Sequence, residues 1–156
     1  MDLAKLRAQL VEHEALRLRA YDDKTGKELR PGMKLEGNLT IGVGHNLNAR
    51  GISDDVSALI LEEDIIIAKA GLDGAFPWWS SMSEVRQRVL LEMCFAMGIT
   101  RLSKFKNTLA AMVAGRYDDA ARGMLASLWA REQAPKRARR LAKMMREDRE
   151  VPLSEV

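Results

Sequence analysis

Apolar residues recur at helical spacing from the very start of the chain. Leu3, Leu6 and Leu10 fall on one face of a helix with 3.6 residues per turn, which predicts an amphipathic helix over residues 2–13. Glu14 follows directly, so residues 1–14 form the first predicted helical segment. The pattern therefore places a carboxylate at the end of a helix.

Directly after this helix, the spacing of the apolar residues changes from a period of 3.6 residues to a period of 2. From Leu16 to Tyr21 the aliphatic residues alternate with two arginines and a tyrosine, which is typical of a half-buried strand. Residues 39–43 predict the return strand, and the Gly- and Pro-containing segment 22–38 predicts a loop or long hairpin. We therefore expect a small β lobe over residues 15–50.

Helical patterns dominate the rest of the chain. Ser53 is a good N-cap for a predicted connecting helix over residues 53–71, and residues 72–150 are expected to form a helical lobe. The predicted helices of this lobe run from Ser83 to Gly98, from Lys104 to Gly115, from Asp118 to Ser127, and from Pro135 to about Asp148. The tail 152–156 is expected to be frayed.

The order of these elements predicts the fold class. A short β region is followed by a long helix and then by further helices, which indicates an α+β, mostly helical architecture. It has a small N-terminal β-sheet lobe, a long connecting helix and a helical C-terminal lobe. The 156 residues suit a single domain, 1–156, that buries a core without disulfides.

Charge, cysteine and histidine content narrow the function classes. The net charge of +3 suits a polyanionic partner, and it suits equally a basic protein that has no such site. Cys94 is the only cysteine and lies in an apolar run, so we expect a core residue rather than a nucleophile. His13 and His45 are the only histidines, so no metal site is expected.

Three polar residues near the start of the chain carry the candidate chemistry. Hydrolysis of a glycosidic bond needs one carboxylic acid to protonate the leaving oxygen and a second carboxylate to attack or to activate water. Glu14, next to apolar neighbours, suits the acid, and Asp23, at the start of a polar loop, suits the base. Thr40 could position a water. Taken singly, a glutamate at a helix end and an aspartate in a turn are more often ordinary solvated residues than catalytic ones.

The sequence around these residues narrows the choice. Residues 14–23 read Glu-Ala-Leu-Arg-Leu-Arg-Ala-Tyr-Asp-Asp, and residues 40–45 read Thr-Ile-Gly-Val-Gly-His. Both segments closely resemble the phage-type lysozymes, glycoside hydrolase family 24. Weaker similarity continues in order through residues 61–65, 95–98, 105–109 and 129–138, which covers nearly the whole chain.

The resemblance implies a lysozyme-like fold and a role for each candidate. Glu14 matches the catalytic acid, Asp23 the second carboxylate, and Thr40 the hydroxyl that helps to place the nucleophilic water. The implied reaction is inverting hydrolysis of the bond between N-acetylmuramic acid and N-acetylglucosamine in peptidoglycan, with no cofactor. In this reading Phe105, Asn107 and Trp129 are substrate-binding residues.

Two structural pairs also follow from the resemblance. Arg137 matches an arginine that pairs with the catalytic glutamate, here Glu14. His45 matches a histidine that pairs with an aspartate on the next helix, here Asp64. A histidine–carboxylate pair of this kind is structural, so His45 is expected neither to be catalytic nor to bind a metal.

The chain also departs from the family pattern. Ala15 stands where members usually carry Gly, which is tolerable if the backbone there is helical, and Ala96 replaces an amide that reaches substrate. The insert 24–39 lengthens the segment before Thr40, and it leaves open whether Asp22 or Asp23 is the base. Asp23 is preferred because it keeps the spacing from Glu14.

The leading prediction is a phage endolysin. With no apolar signal core and no apolar run of about 18 residues, we expect no signal peptide and no transmembrane segment. The protein would then accumulate in the cytoplasm of the host bacterium until release, and act on the cell wall in the periplasm. Its expected partner is the peptidoglycan glycan strand, with no nucleic acid bound, and it is expected to be a monomer.

Other readings compete with this one. A lytic transglycosylase would need Glu14 but neither Asp23 nor Thr40, a basic helical module would bind nucleic acid, and a wall-binding protein would have lost catalysis. The basic residues 131–149 could touch anionic lipid or the outer membrane. Acidic residues at 147, 148 and 150 dilute that charge and favour a solvated helix face.

Overall fold

The alternating segment forms a strand and the helically spaced segments form helices in a computed structural model that describes residues 1–156. The strands are β1 (Arg17–Asp22), β2 (Leu39–Gly42) and β3 (His45–Asn46). The α-helices are α1 (Leu3–Glu14), α2 (Leu47–Arg50), α3 (Asp54–Ala75), α4 (Glu84–Met97), α5 (Ile99–Leu102), α6 (Lys106–Val113), α7 (Tyr117–Leu125) and α8 (Pro135–Glu147). The predicted α+β, mostly helical fold is confirmed.

The chain divides into two units, Met1–Ala58 and Leu59–Val156, with the boundary inside α3. In the first unit the sheet order is β1-β2-β3, and both pairings are antiparallel. Tyr21 pairs with Thr40 and Asp22 with Leu39, and the register is irregular between Arg17 and Tyr21. This pairing brings the end of β1 next to the start of β2.

The first unit buries very little side chain. Its buried residues are Tyr21, Asp22 and Thr40, so two of the three are polar. Helix α1 contains no buried residue, and its leucines are exposed. The first helix is therefore where the sequence predicts it, but the apolar surroundings expected for Glu14 are wrong, because Glu14 is exposed as well.

Helix α3 ends four residues later than the sequence indicates. It continues through Gly71 and Gly74 to Ala75, and it stops before Pro77. Proline disfavours the helical conformation of the residue before it, so Phe76 cannot extend the helix, whereas a glycine only weakens one. The proline, rather than the first glycine, sets the boundary.

The second unit contains the hydrophobic core. Fully buried side chains from several helices pack together there, including Leu72, Met93, Met112 and Leu141, and they are joined by Val151 from the segment after α8. Cys94 is buried among them, as predicted, and burial raises the pKa of its thiol. The core thus depends on the flexible side chains of methionine as well as on leucine.

The end of the chain is ordered rather than frayed. Val151 is fully buried, and its carbonyl accepts a hydrogen bond of 2.7 Å from Arg140 Nε. Residues Leu153–Glu155 form a 3₁₀ turn, and Glu155 pairs with Lys143 at 2.6 Å and with Arg149 at 2.8 Å. The expectation of a frayed tail is wrong because an apolar side chain and two ion pairs attach it to α8 and to the segment that follows α8.

Candidate functional site

The three candidate catalytic residues lie in the first unit, each on a different element. Glu14 is the last residue of α1, Asp23 directly follows β1, and Thr40 lies within β2. The antiparallel pairing of β1 with β2 brings Asp23 close to Asn38, two residues before Thr40. A helix end, a strand end and a strand interior therefore supply the three groups.

Asp22 is a structural anion. Its side chain is 2% exposed and accepts four backbone N–H bonds, from Lys24, Thr25, Glu36 and Gly37, at 2.7–3.3 Å. The bond from the Glu36 N–H contributes most to holding the pKa of Asp22 below its usual range. A carboxylate already filled with backbone donors has little capacity left for a substrate or a water.

Asp23 is held differently, and it remains open to solvent. Its Oδ1 accepts the backbone N–H of Asn38 at 2.6 Å, and its Oδ2 accepts the side-chain amide of Asn38 at 3.0 Å. These two bonds, the backbone one first, hold the pKa of Asp23 below its usual range. Asp23 is therefore ionised at neutral pH, and as an exposed carboxylate it can still accept further hydrogen bonds.

Thr40 also forms a hydrogen bond with Asn38. Its side chain is 3% exposed, and its hydroxyl donates to the carbonyl of Asn38 at 3.2 Å. That carbonyl also accepts the backbone N–H of Asp23 at 3.1 Å. Because its hydrogen is engaged, the Thr40 oxygen is available to other groups as an acceptor only.

Glu14 lies against the turn that follows β2. A Cβ added to Gly44 would come within 2.9 Å of Glu14 Oε2, and Gly44 has a φ of +66°. Only a residue without a side chain allows this approach of backbone and carboxylate. The Thr-Ile-Gly-Val-Gly segment therefore supplies both Thr40 and the surface on which Glu14 rests.

The residue after Glu14 is in a strained conformation. Ala15 has φ 58° and ψ 150°, a combination that glycine adopts readily and other residues rarely do. The helical backbone on which the tolerance of Ala15 was made to depend is not present: α1 ends here, and β1 begins two residues later.

The predicted structural pairs have other partners in the structure. Arg137 Nε lies 3.4 Å from Glu92 Oε1, which is an ion pair within the second unit. His45 Nε2 lies 2.5 Å from the carbonyl oxygen of Gly51, within the first unit. The pairing of Arg137 with Glu14 and that of His45 with Asp64 stay predictions.

The predicted substrate-binding residues line one groove of the second unit. Phe105, Asn107 and Trp129 surround a cavity of about 750 Å³, together with Gln133. Trp129 itself is largely buried, with 7% of its surface exposed, and it forms part of the groove wall. Cationic side chains also line the groove, from Arg101, Lys104 and Lys106. Such a mixture of aromatic, amide and cationic groups can bind a sugar that bears carboxylates.

Two further features bear on cofactors and membranes. No group of three or more histidine, cysteine, aspartate or glutamate side chains is arranged to hold a metal ion. None of the helices combines the length and the apolar character needed to cross a bilayer.

The sequence did not single out Gly37 and Asn38. A Cβ on Gly37 would collide with Asp23 Oδ1 and with Lys24, so glycine allows the loop to approach Asp23 closely. Asn38 contacts Asp23 through both its backbone and its amide. The available signal was a Gly-Asn pair directly before a strand, which is the usual composition of a turn and so points to no function.

Comparison with known proteins gives distant relatives. No protein-family model matches the chain. It is 27% identical over 150 aligned positions to Probable T4-type lysozyme 2 of Dictyostelium discoideum, covering 78% of this chain and 86% of that protein. It is 26% identical over 133 positions to the pre-baseplate central spike protein Gp5 of Enterobacteria phage T4, covering 74% of this chain. The chain spans only 23% of the length of that spike protein.

Proposed function

The chain resembles the phage-type lysozymes, and from this premise we propose that it is a phage endolysin that hydrolyses the β-1,4 bond between N-acetylmuramic acid and N-acetylglucosamine in peptidoglycan. Its distant similarity to a T4-type lysozyme supports a lysozyme-like muramidase, and so a glycoside hydrolase. The observation that carries the proposal is the arrangement of Asp23 and Thr40 around Asn38, in the same unit as Glu14.

In the proposed reaction Glu14 is the general acid. It protonates the glycosidic oxygen as the bond to the anomeric carbon breaks, so the leaving sugar departs as a neutral alcohol. Its exposed carboxyl group, supported by Gly44, is accessible to a substrate.

Asp23 is the general base and Thr40 helps to orient the water. Asp23 is ionised and keeps free lone pairs, so it can accept a proton from a water molecule. The Thr40 oxygen can accept the other hydrogen of that water, because its own hydrogen is donated to Asn38. A water held by two acceptors directs a lone pair at the anomeric carbon, and attack opposite the leaving group inverts its configuration.

The groove of the second unit is a proposed binding site for sugar residues of the glycan. Phe105 and Trp129 offer apolar surface to sugar rings, and Asn107 can hydrogen-bond their hydroxyl groups. We propose that residues 1–156 are a single catalytic domain, which acts as a monomer and needs no cofactor. The endolysin stays in the host cytoplasm until release, then reaches the wall from the periplasmic side.

Digestion of purified peptidoglycan tests the proposal. For the wild type we expect mass spectrometry to detect fragments with reducing ends. We expect the Glu14→Gln variant to fold like the wild type but to release no fragments. Glu12→Gln is the matched control, because Glu12 is exposed on the same helix and has no assigned role. Activity in Glu14→Gln, or anhydro-sugar products from the wild type, would overturn the proposal.

A second pair of variants separates the two aspartates. Asp23→Asn should abolish turnover while the unfolding temperature stays near that of the wild type. Asp22→Asn should lower the unfolding temperature, because an amide cannot accept four N–H bonds as a carboxylate does. Wild-type turnover in Asp23→Asn would exclude Asp23 as the base.

A further inference from the structure

We propose that Asn38 is the positioning residue of the base: its amide and its backbone N–H fix the Asp23 carboxylate, while its carbonyl fixes the Thr40 hydroxyl. This inference rests on the proposed function, since it assigns to Asn38 the orientation of the two groups that would hold the attacking water. Asn38 itself is not expected to touch the sugar or the water.

The first observation is that Asn38 engages both oxygens of Asp23. The backbone N–H reaches Oδ1 at 2.6 Å and the amide reaches Oδ2 at 3.0 Å, so the plane of the carboxylate is fixed by two donors from one residue. A single donor would leave the carboxylate free to rotate about its Cβ–Cγ bond. Two donors leave one set of lone pairs pointing in a defined direction.

The second observation is that the same residue joins Asp23 to Thr40. The carbonyl of Asn38 accepts the Thr40 hydroxyl at 3.2 Å and the Asp23 N–H at 3.1 Å. A shift of Asn38 therefore moves both acceptors of the proposed water together. Misplacement of a catalytic group by about 1 Å can cost roughly a hundredfold in rate.

The third observation is that Asn38 is itself held in place. The N–H groups of Glu36 and Gly37, directly before it, bind the buried carboxylate of Asp22 at 2.7 and 3.1 Å. Gly37 lets this backbone pass beside Asp23, where any Cβ would collide with Oδ1. Asp22 therefore fixes the backbone before Asn38, Gly37 lets that backbone approach Asp23, and Asn38 then donates two hydrogen bonds to Asp23.

Other charged groups near Asp23 set its ionisation as well. The carboxylate of Asp22 raises the pKa of Asp23, and the backbone N–H of Lys24 lowers it. Lys24 and Glu36 form an exposed ion pair at 3.7 Å on the same loop. The two Asn38 bonds are nevertheless the largest contributions, and they lower the pKa. Loss of the amide should therefore raise the pKa of Asp23.

The test measures turnover, its pH dependence and the titration of Asp23 in Asn38→Ala and Asn38→Asp. We expect kcat to fall about ten- to a hundredfold in Asn38→Ala with KM within about twofold. The acid limb of the kcat/KM profile should move to higher pH, because the base then takes up its proton at higher pH. Asn38→Asp should have the larger effect, since it replaces a donor by a second negative charge.

Asn48→Ala is the matched control. The Asn48 side chain accepts the Leu39 N–H at 3.2 Å, so this variant also loses one hydrogen bond to β2, but none to Asp23. Its kcat and acid limb should stay at the wild-type values. A kcat loss in Asn38→Ala no larger than in Asn48→Ala would overturn the positioning role.

An NMR titration of the Asp23 carboxyl carbon separates the two levels of proposal. An upward shift of the Asp23 pKa in Asn38→Ala supports the proposal that the Asn38 amide binds and orients Asp23. An unchanged pKa overturns it, even if the variant loses activity. If Asp23→Asn is fully active, the assignment of the base fails. If Asp23→Asn is inactive while Asn38→Ala is fully active, only the inference about Asn38 fails.

Discussion

The carboxylate of Glu14 packs directly on the backbone of Gly44, at a distance that leaves no room for a Cβ between them. The two residues lie 30 positions apart in the sequence, on the end of a helix and on the turn between β2 and β3. Their contact connects the proposed acid to the strand that carries Thr40.

We therefore expect Gly44→Ala to reduce activity for two reasons, the strain of a positive φ and the displacement of Glu14, and the second to have the larger effect. The new methyl group meets Oε2 at 2.9 Å and must displace the carboxylate. We expect at least a tenfold loss of peptidoglycan hydrolysis and a stability loss of about 1–2 kcal/mol from the positive φ.

Gly42→Ala provides the matched control for that variant. Gly42 has nearly the same φ, +68°, but nothing lies within 4 Å of an added Cβ. It should lose similar stability and keep its hydrolytic rate at temperatures where it is folded. Equal loss of activity in both variants would show that strain, not contact with Glu14, is responsible.

Ala15→Gly should stabilise the protein. The φ 58° and ψ 150° of Ala15 destabilise the folded state by about 1–3 kcal/mol, and a glycine would relieve this strain. Part of the gain is offset because glycine makes the unfolded chain more flexible. We expect a net gain of about 1 kcal/mol, or roughly 2–4 °C in thermal unfolding. Ala49→Gly, in α2 and without a positive φ, should instead destabilise by about 0.5–1 kcal/mol.

Glu155 makes the attachment of the tail depend on pH. Its ion pairs with Arg149 and Lys143 lower the pKa from 4.5 to about 2. A depressed folded-state pKa stabilises the folded form above the unfolded value, and the contribution is lost as pH falls from about 4.5 to about 2. Thermal unfolding of wild type and Glu155→Gln should therefore differ at pH 7 and converge across that range.

Glu132→Gln is the control for this titration, because Glu132 forms no salt bridge. Its difference from the wild type should be small at every pH. A difference for Glu155→Gln that stays constant from pH 7 down to pH 2 would contradict the proposed role of the tail ion pairs.

Arg86 connects α4 to the end of α8, and a lysine should not replace it. The guanidinium is 14% exposed, donates to Met145 O at 2.9 Å and Asp148 Oδ2 at 3.0 Å, and lies 3.5 Å above the Tyr117 ring. An ammonium group cannot make these planar contacts together. We expect Arg86→Lys to cost about 2 kcal/mol, or roughly 4–8 °C in thermal unfolding.

Arg88→Lys tests whether this cost is specific. Arg88 is on the same helix and pairs with Glu150, but its side chain is 49% exposed. Exposed ion pairs contribute little, so the change should stay within about 0.5 kcal/mol. Similar losses for the two variants would mean that the buried contacts of Arg86 add nothing.

Local signals account for what the sequence predicted well. Period and caps located the helices, because Ser83, Gly98 and Pro135 act on their own neighbours in the chain. Period 2 located β1, and the two glycines after Thr40 indicated a tight turn. These features need no knowledge of the tertiary structure.

Contacts between distant residues account for what was missed. The roles of Asp22 and Asp23 differ because loop residues 14 or 15 positions later bind one through backbone alone and the other through Asn38. Side chains of α8 bind the carbonyl of Val151 and the carboxylate of Glu155, and Ala15 has a strained conformation where α1 ends. No local composition encodes these geometries.

The buried carboxylate of Asp22 joins the beginning and the end of the loop at one point. Lys24 and Thr25 bind it from one end, and Glu36 and Gly37 bind it from the other. The exposed tip at residues 30–34 therefore lies outside the part of the loop that these hydrogen bonds to Asp22 hold together. We therefore expect that a foreign peptide can be inserted at this tip and displayed on the surface without a change in the hydrogen bonds of Asp23.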